Sequence, residues 1–373
     1  MSVFLTGATG YVGKHLLRSI LLLTNKQVVI CIREKNGLYA KQRFQKEIVS
    51  HGLFAKLDTT RVKIIDKDVS DLEILDLDGC TDVIHCAANV KFNSSLQLLI
   101  KENVDALKKL YSLCEGKRFY HISTCYVHPI ATKGPYESTK IQSGLDVSDF
   151  ICNYAYTKYL AEQFLYNQTG VIDIVRLSCV GSPVEQLPPM RGGAHLAILE
   201  LLERSKLPDI WIPDDLKFSV VPVDVLCKGI VDKLYTKHDG LTIVQYSAPA
   251  ESKTYNINVK NILNEKTYSA KIWTGLSYKK FLAWMSIFYW FVPMILKRIT
   301  DANDVISYVS MNQTFHSDLN LPDLTPQEYT KETLSYVERL VNSDNTVISW
   351  LLYFFSSVKS FIVWIFDSWV EED

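Results

Sequence analysis

Thr6-Gly7-Ala8-Thr9-Gly10-Tyr11-Val12-Gly13 is the stretch whose reading decides the fold. It follows a short apolar run at residues 3–6 and leads into an apolar-periodic stretch reaching Leu22, so the order is strand, glycine turn, helix. Each glycine then has a physical task. Gly7 permits the tight turn, Gly10 lets a diphosphate approach the backbone, and Gly13 lets the helix pack closely on the strand. The helix N-terminus adds N–H donors and a partial positive charge. The spacing is GxxGxxG, not the GxGxxG of many other dinucleotide sites. Thr6, Gly7, Thr9, Gly10, Tyr11, Val12 and Gly13 are the candidate contacts to such a ligand.

Outward from the turn, residues 27–32 (QVVICI) form a continuous apolar strand, as expected for a parallel sheet covered on both faces. An acidic residue near this strand's end would suit a ribose 2'-hydroxyl, and a cation a 2'-phosphate. Arg33 ends the strand, with Lys35 close behind and Arg43 one helical segment on, which favours NADPH over NADH. The opposing reading makes Glu34 the ribose ligand and Arg33 a solvated charge. A third strand at 62–65 leads to Asp68-Val69, where Asp68 either borders the adenine or caps a helix. A fourth at 82–85 opens into Cys86-Ala87-Ala88, whose small side chains leave room for a flat ligand. Residues 94–114 read as one helix carrying Asn103. Residues 118–123 are the fifth strand, with His121 as a packed core residue, and 171–177 the sixth.

Between the last two strands lies Tyr154-Ala-Tyr-Thr-Lys158, in a segment that reads as helix over 153–168. Residues four apart share a helix face, so phenol and ammonium meet, and the cation is expected to lower the phenol pKa. Alone, this spacing is a common surface pattern. Ser123-Thr124 at the preceding strand end adds weight, although a hydroxyl at a strand end is most often a turn cap.

At 373 residues with net charge -1, the chain suits one large α/β domain with an appendage, and no basic field calls for nucleic acid. Eight cysteines without a CxxC pair read as buried free thiols in a reducing compartment, and no metal site is expected. The first residues lack a basic segment and a cleavage site, so the protein is expected to stay inside the cell. Three glycosylation sequons, at Asn93, Asn167 and Asn312, are chance matches on that reading.

Residues 184–215 are rich in Pro and Gly around a helix-like insert and read as a substrate loop. Residues 281–296 carry no charge, and residues 347–366 are apolar apart from Lys359 and scattered serines. Their Trp and Tyr clusters and polar stripe suit helices lying at a membrane surface or packed over an apolar tunnel. The expected domains are 1–250, a Rossmann unit with the substrate loop, and 251–373, a substrate and membrane-associated region.

The glycine turn, Arg33, His85-Cys86-Ala87-Ala88, Ser123-Thr124 and Tyr154-xxx-Lys158, in this order, resemble the extended short-chain dehydrogenase/reductase superfamily. FLTGATGYVGKHLL, VIHCAANVKF and HISTCYV look like its fatty acyl-CoA reductase (male-sterility type) and thioester reductase branch. Arg176-Leu177-Ser178 departs from the expected Arg-Pro-Ser, and 187–193 replaces the usual Pro-Gly-Trp; both differences fall in the substrate region. The resemblance implies a doubly wound parallel sheet and NADPH-dependent reduction of an acyl-CoA to aldehyde or alcohol. It makes Tyr154 the proton donor, Lys158 the holder of the nicotinamide ribose, and Thr124, with Ser123 in reserve, the donor to the carbonyl. Implied partners are a lipid or acyl-CoA, a membrane surface and a second copy of the chain, at the cytosolic face of the endoplasmic reticulum or peroxisome in a eukaryote. Rival readings are a membrane-bound 3β-hydroxysteroid dehydrogenase using NAD, a sugar-nucleotide epimerase, and a non-catalytic cofactor-binding scaffold or redox sensor.

Overall fold

The computed structural model describes residues 2–91, 94–130, 143–205, 209–210, 217–249, 251–258, 271–272, 315 and 317–343. In the N-terminal half, β1 (Ser2–Thr6), α1 (Tyr11–Leu23), β2 (Gln27–Cys31), α2 (Ala40–Glu47), β3 (Val62–Ile65) and β4 (Cys80–His85) follow in turn. Next come α3 (Leu96–Leu99), α4 (Ala106–Tyr111), β5 (Arg118–Thr124), α5 (Asn153–Tyr166), β6 (Ile172–Leu177) and β7 (Cys179–Gly181). The chain continues through α6 (Ala194–Ser205), β8 (Asp209–Ile210), β9 (Lys217–Pro222), α7 (Val223–Lys233) and β10 (Leu241–Tyr246). Last are β11 (Asn256–Asn258), β12 (Lys271–Ile272) and a helix, α8 (Pro326–Ser343).

Seven strands form one parallel sheet in the order β3-β2-β1-β4-β5-β6-β10. The near-continuous apolar runs of β1 and β2 have this cause, since helices cover both faces and nearly every position is buried. On one face Leu16, Leu17 and Ile20 of α1 pack with Ile230 and Val231 of α7; on the other, Leu107 and Leu110 meet Ala161 and Leu165 of α5. The strand order reverses at β1, whose neighbours are β2 and β4, and such a reversal leaves a crevice beyond the strand ends.

Two expectations about the elements change. The 94–114 helix is broken by a wide π turn, Ile100–Asp105, which carries the buried Asn103. The Asn103 amide accepts from Asn89 N (2.7 Å), and donates to Asn89 O (3.0 Å) and Thr157 Oγ1 (3.2 Å), tying the loop after β4 to α5. The sheet also gains β10, whose outer position leaves four of its six residues partly exposed and its alternation weak.

A smaller layer of β7, β9 and β11 lies beyond the main sheet, and α8 packs against α6 over a second core containing Phe218, Phe315, Tyr329 and Tyr336. Among the described residues no helix is long and apolar enough to cross a membrane. The apolar stretches at 281–296 and 347–366, Asn93, Asn312 and part of the 184–215 loop lie outside the described residues. All eight cysteines are free; six are buried, but Cys86 and Cys152 are partly exposed, against the expectation for the set.

Candidate active site

A cleft of about 910 Å³ runs along the carboxyl ends of β1, β4, β5 and β6, near the upper end of the range usual for cofactor sites, roughly 300–1,000 Å³. Its floor is the glycine turn. Gly7 adopts a left-handed φ of 75°, and Gly10 N donates to Gly7 O at 2.9 Å. Gly10 caps α1 without a side-chain hydrogen bond, and Tyr11, Val12 and Gly13 line the cleft. The first N–H groups of a helix have no intrahelical acceptor, so this floor offers donors and a positive dipole end. That donor set fits the diphosphate of a dinucleotide.

The other expected cofactor contacts divide. Cys86 and Ala88 line the cleft. Ala87 lies under Gly7 and donates its N–H to Thr6 Oγ1 at 3.1 Å. Thr6 is fully buried and also bonded to His85 Nδ1 at 2.9 Å, so its hydroxyl braces β1 against β4 behind the turn. Thr9 Oγ1 accepts from Arg43 at 3.5 Å. Arg43 is buried, its guanidinium held by Glu47 (2.8 and 3.0 Å) and by the Arg33 carbonyl (2.7 Å). Arg33 is over half exposed and pairs with Asp68 at 2.9 Å. Asp68 also caps the turn Val69–Asp71, so the capping alternative describes its geometry. Lys35 is exposed in a tight turn with Leu38.

On the opposite wall, Tyr154 and Lys158 both face the cleft from α5. Lys158 Nζ donates to Ile122 O at 2.8 Å, which pins the side chain to the end of β5. Burial lowers the ammonium pKa to about 8, against the upward pull of Cys86 and Glu162. The expected depression of the phenol is not found. Burial, then Cys152 and Cys86, push the Tyr154 pKa up, so the hydroxyl keeps its proton. Thr124 donates to Leu177 O (3.2 Å) and accepts from Tyr126 N (3.3 Å), the capping geometry of a strand-end hydroxyl. Ser123 donates to Glu162 at 2.5 Å. His121 is fully buried between strands, as expected of a core histidine.

Several wall residues went unseen in sequence: Tyr126, Cys179, Arg191, Gly193 and Glu200. Arg191 pairs with Glu200 at 2.9 Å where 191–193 passes over α1. A Cβ on Gly192 would lie 1.9 Å from the Tyr11 ring, so the loop can come this close only at a glycine. The Gly192-Gly193 pair signals such an approach in sequence, but not its target.

A family model described as male sterility protein matches residues 5–230. Fatty acyl-CoA reductase 1 of Xenopus laevis is 31% identical, with 48% of this chain matched to 43% of that protein. The human protein of the same name is 29% identical with the same coverage. The chain thus spans less than half the length of these curated relatives. Among solved structures, the terminal R domain from the myxalamid PKS-NRPS biosynthetic pathway superposes with a TM-score of 0.66 at 17% identity, covering 91% of each chain. UDP-glucuronic acid 4-epimerase from Bacillus cereus in complex with NAD gives 0.61 at 18% identity, over 91% of this chain and all of that one. These structural likenesses speak for the fold alone.

Proposed function

The chain belongs to the male sterility protein family, and from that premise we propose that it is an NADPH-dependent reductase of activated fatty acyl thioesters, acyl-CoA in particular. The observation that carries this reading is one cleft with a diphosphate-fitting floor and a Tyr154–Lys158 wall, inside the segment that matches the male sterility protein family model. When bound, the reduced nicotinamide supplies hydride to the carbonyl carbon.

Negative charge then grows on the carbonyl oxygen, and a donor already aimed at it lowers the barrier. Tyr154 is that donor: its phenol, kept protonated by burial, passes its proton to the oxygen. Loss of the thiol from the resulting hemithioacetal leaves an aldehyde. Lys158, fixed on Ile122 O, orients the ribose of the cofactor with its remaining N–H donors. Thr124 and Ser123 bound the space for the reacting carbonyl. Residues 1–250 hold the cofactor in this scheme. Residues 251–373 meet the acyl chain and a membrane surface at its cytosolic face, on the strength of their two apolar stretches.

Arg33 supports NADPH, because an exposed cation at the end of β2 suits a 2'-phosphate in place of Asp68. Arg33→Ala is expected to raise KM for NADPH about tenfold or more, as a charged hydrogen bond contributes about 1.5–3 kcal/mol, and to leave KM for NADH nearly unchanged. Equal losses with both cofactors would remove Arg33 from that role. The reaction itself is tested by counting NADPH consumed per thiol released from a long-chain acyl-CoA. One equivalent means aldehyde, two mean alcohol, and thiol release without NADPH consumption contradicts the proposal.

A further inference from the structure

Glu162 is fully buried on α5, two turns beyond Tyr154 and one beyond Lys158, so the three share a helix stripe. Ser123 and Arg176 are direct partners across β5 and β6, and both reach it. Arg176 Nε donates to both carboxylate oxygens at 3.1 Å and its Nη2 to one at 2.6 Å, while Ser123 Oγ donates at 2.5 Å. Arg176 is 1% exposed and Ser123 3%. The Ser123 end of this network is cleft wall.

A buried ion pair is poor evidence of a stabilising device, since desolvation offsets its attraction and apolar side chains of similar volume would hold α5 to the sheet as well. Apolar side chains could not, however, take the one hydroxyl proton of Ser123, nor set a negative charge one turn from Lys158. Among the described residues, Cys86, His85, His121, Tyr154 and Glu162, with the Arg176 guanidinium bound to it, are the titratable and charged groups around Lys158. Burial drives His85 down to about 3 and holds His121 well below the usual imidazole range, while Cys86 rises to about 11 and Tyr154 rises too. Near neutrality those four are uncharged, which among the described residues leaves the Arg176-bound carboxylate, whose charge raises the Lys158 pKa, as the countercharge.

We infer that Glu162, clamped by Arg176, is a positioning residue: it turns the Ser123 hydroxyl so that oxygen lone pairs face the cleft, and it is the countercharge of Lys158. Ser123 then accepts a hydrogen bond from the hydroxyl formed at the reacting carbon, and Tyr154 is left as the donor to the carbonyl oxygen. This inference rests on the acyl-reductase reading for its kinetic part only.

The test uses the full chain in four forms: wild type, E162Q/R176M, S123A and all three changes together. The paired change avoids leaving Arg176 buried without its carboxylate, which alone could prevent folding. Lysines carrying 13C at Cε are titrated by NMR, with Lys158 assigned by K158R. The Lys158 titration is expected to fall by roughly 1 unit in E162Q/R176M. Turnover there is expected to drop about tenfold at unchanged KM, through the loss of one charged hydrogen bond, and S123A is expected to add nothing to it. If the paired variant does not fold, E162D replaces it. That variant keeps the charge and retracts it from Ser123, so the Lys158 titration holds while turnover falls as in S123A. An unmoved titration in E162Q/R176M, multiplicative kinetic losses, or full turnover in E162D overturns the inference. A wild type inert toward acyl-CoA overturns the substrate reading instead, and the titration still decides the role of Glu162.

Discussion

Tyr154→Phe is expected to lower kcat about 10²–10⁴-fold, the range of a lost general acid, while leaving the dissociation constant for NADPH within about twofold. The substitution removes the hydroxyl and keeps the ring that fills the wall of the cleft. Stopped-flow turnover and cofactor-fluorescence titration measure the two quantities separately. Parallel loss of both would make Tyr154 a packing residue. The pH dependence adds a sign. Reduction takes up a proton, and the phenol, pushed up by burial, keeps its own through the usual range. Burial brings the Lys158 ammonium down to about 8, so kcat/KM should be level around neutrality and fall above about pH 8. An activity that rises through pH 8 would point to alcohol oxidation, with the phenol acting as base.

Gly13→Ala should weaken cofactor binding. A Cβ there would sit 2.0 Å from Gly7 O, 2.7 Å from Gly7 C and 3.1 Å from Ala8 Cα, all backbone, so no flexible side chain can give way. The turn must open to accept the methyl. Overpacking of this kind costs about 1–3 kcal/mol in stability. The N–H donors of α1 shift with the turn, and NADPH affinity should fall at least about tenfold, or about 1.4 kcal/mol. Gly37→Ala is the control: its φ of 74° strains an alanine, but nothing lies within 4 Å, so stability should fall slightly and affinity should hold. Similar NADPH affinities in the two variants would detach the glycine turn from the cofactor.

The parts of this structure legible in the sequence are those written locally. Residues 2–23 carry strand, turn and helix in unbroken order, and QVVIC has the apolar continuity that only a doubly covered strand requires. Tyr154 and Lys158 could be paired because helical spacing is itself a geometric statement. What escaped was set by tertiary context. β10 is an edge strand whose Thr242 and Gln245 break its apolar run, and α8 is amphipathic but separated from α6 by more than a hundred residues. The π turn at Ile100–Asp105 has no composition signal; it shows only once Asn103 is seen bonded across to Asn89 and Thr157. Glu162 stood four residues past Lys158 on the same face, so its place was readable, but its partners Arg176 and Ser123 were not. The phenol pKa was misjudged for a related reason. Spacing placed a cation on the same helix face, whereas the burial that raises the phenol belongs to the assembled cleft.

The most direct test of the central claim is to mix the purified 373-residue protein with NADPH and a long-chain acyl-CoA and to follow nicotinamide absorbance and free thiol together. Acyl-CoA-dependent loss of NADPH, matched by thiol release and abolished in Tyr154→Phe, is the predicted result. Reduction of NAD with a sterol, or tight NADPH binding without consumption on any acyl-CoA, would contradict it.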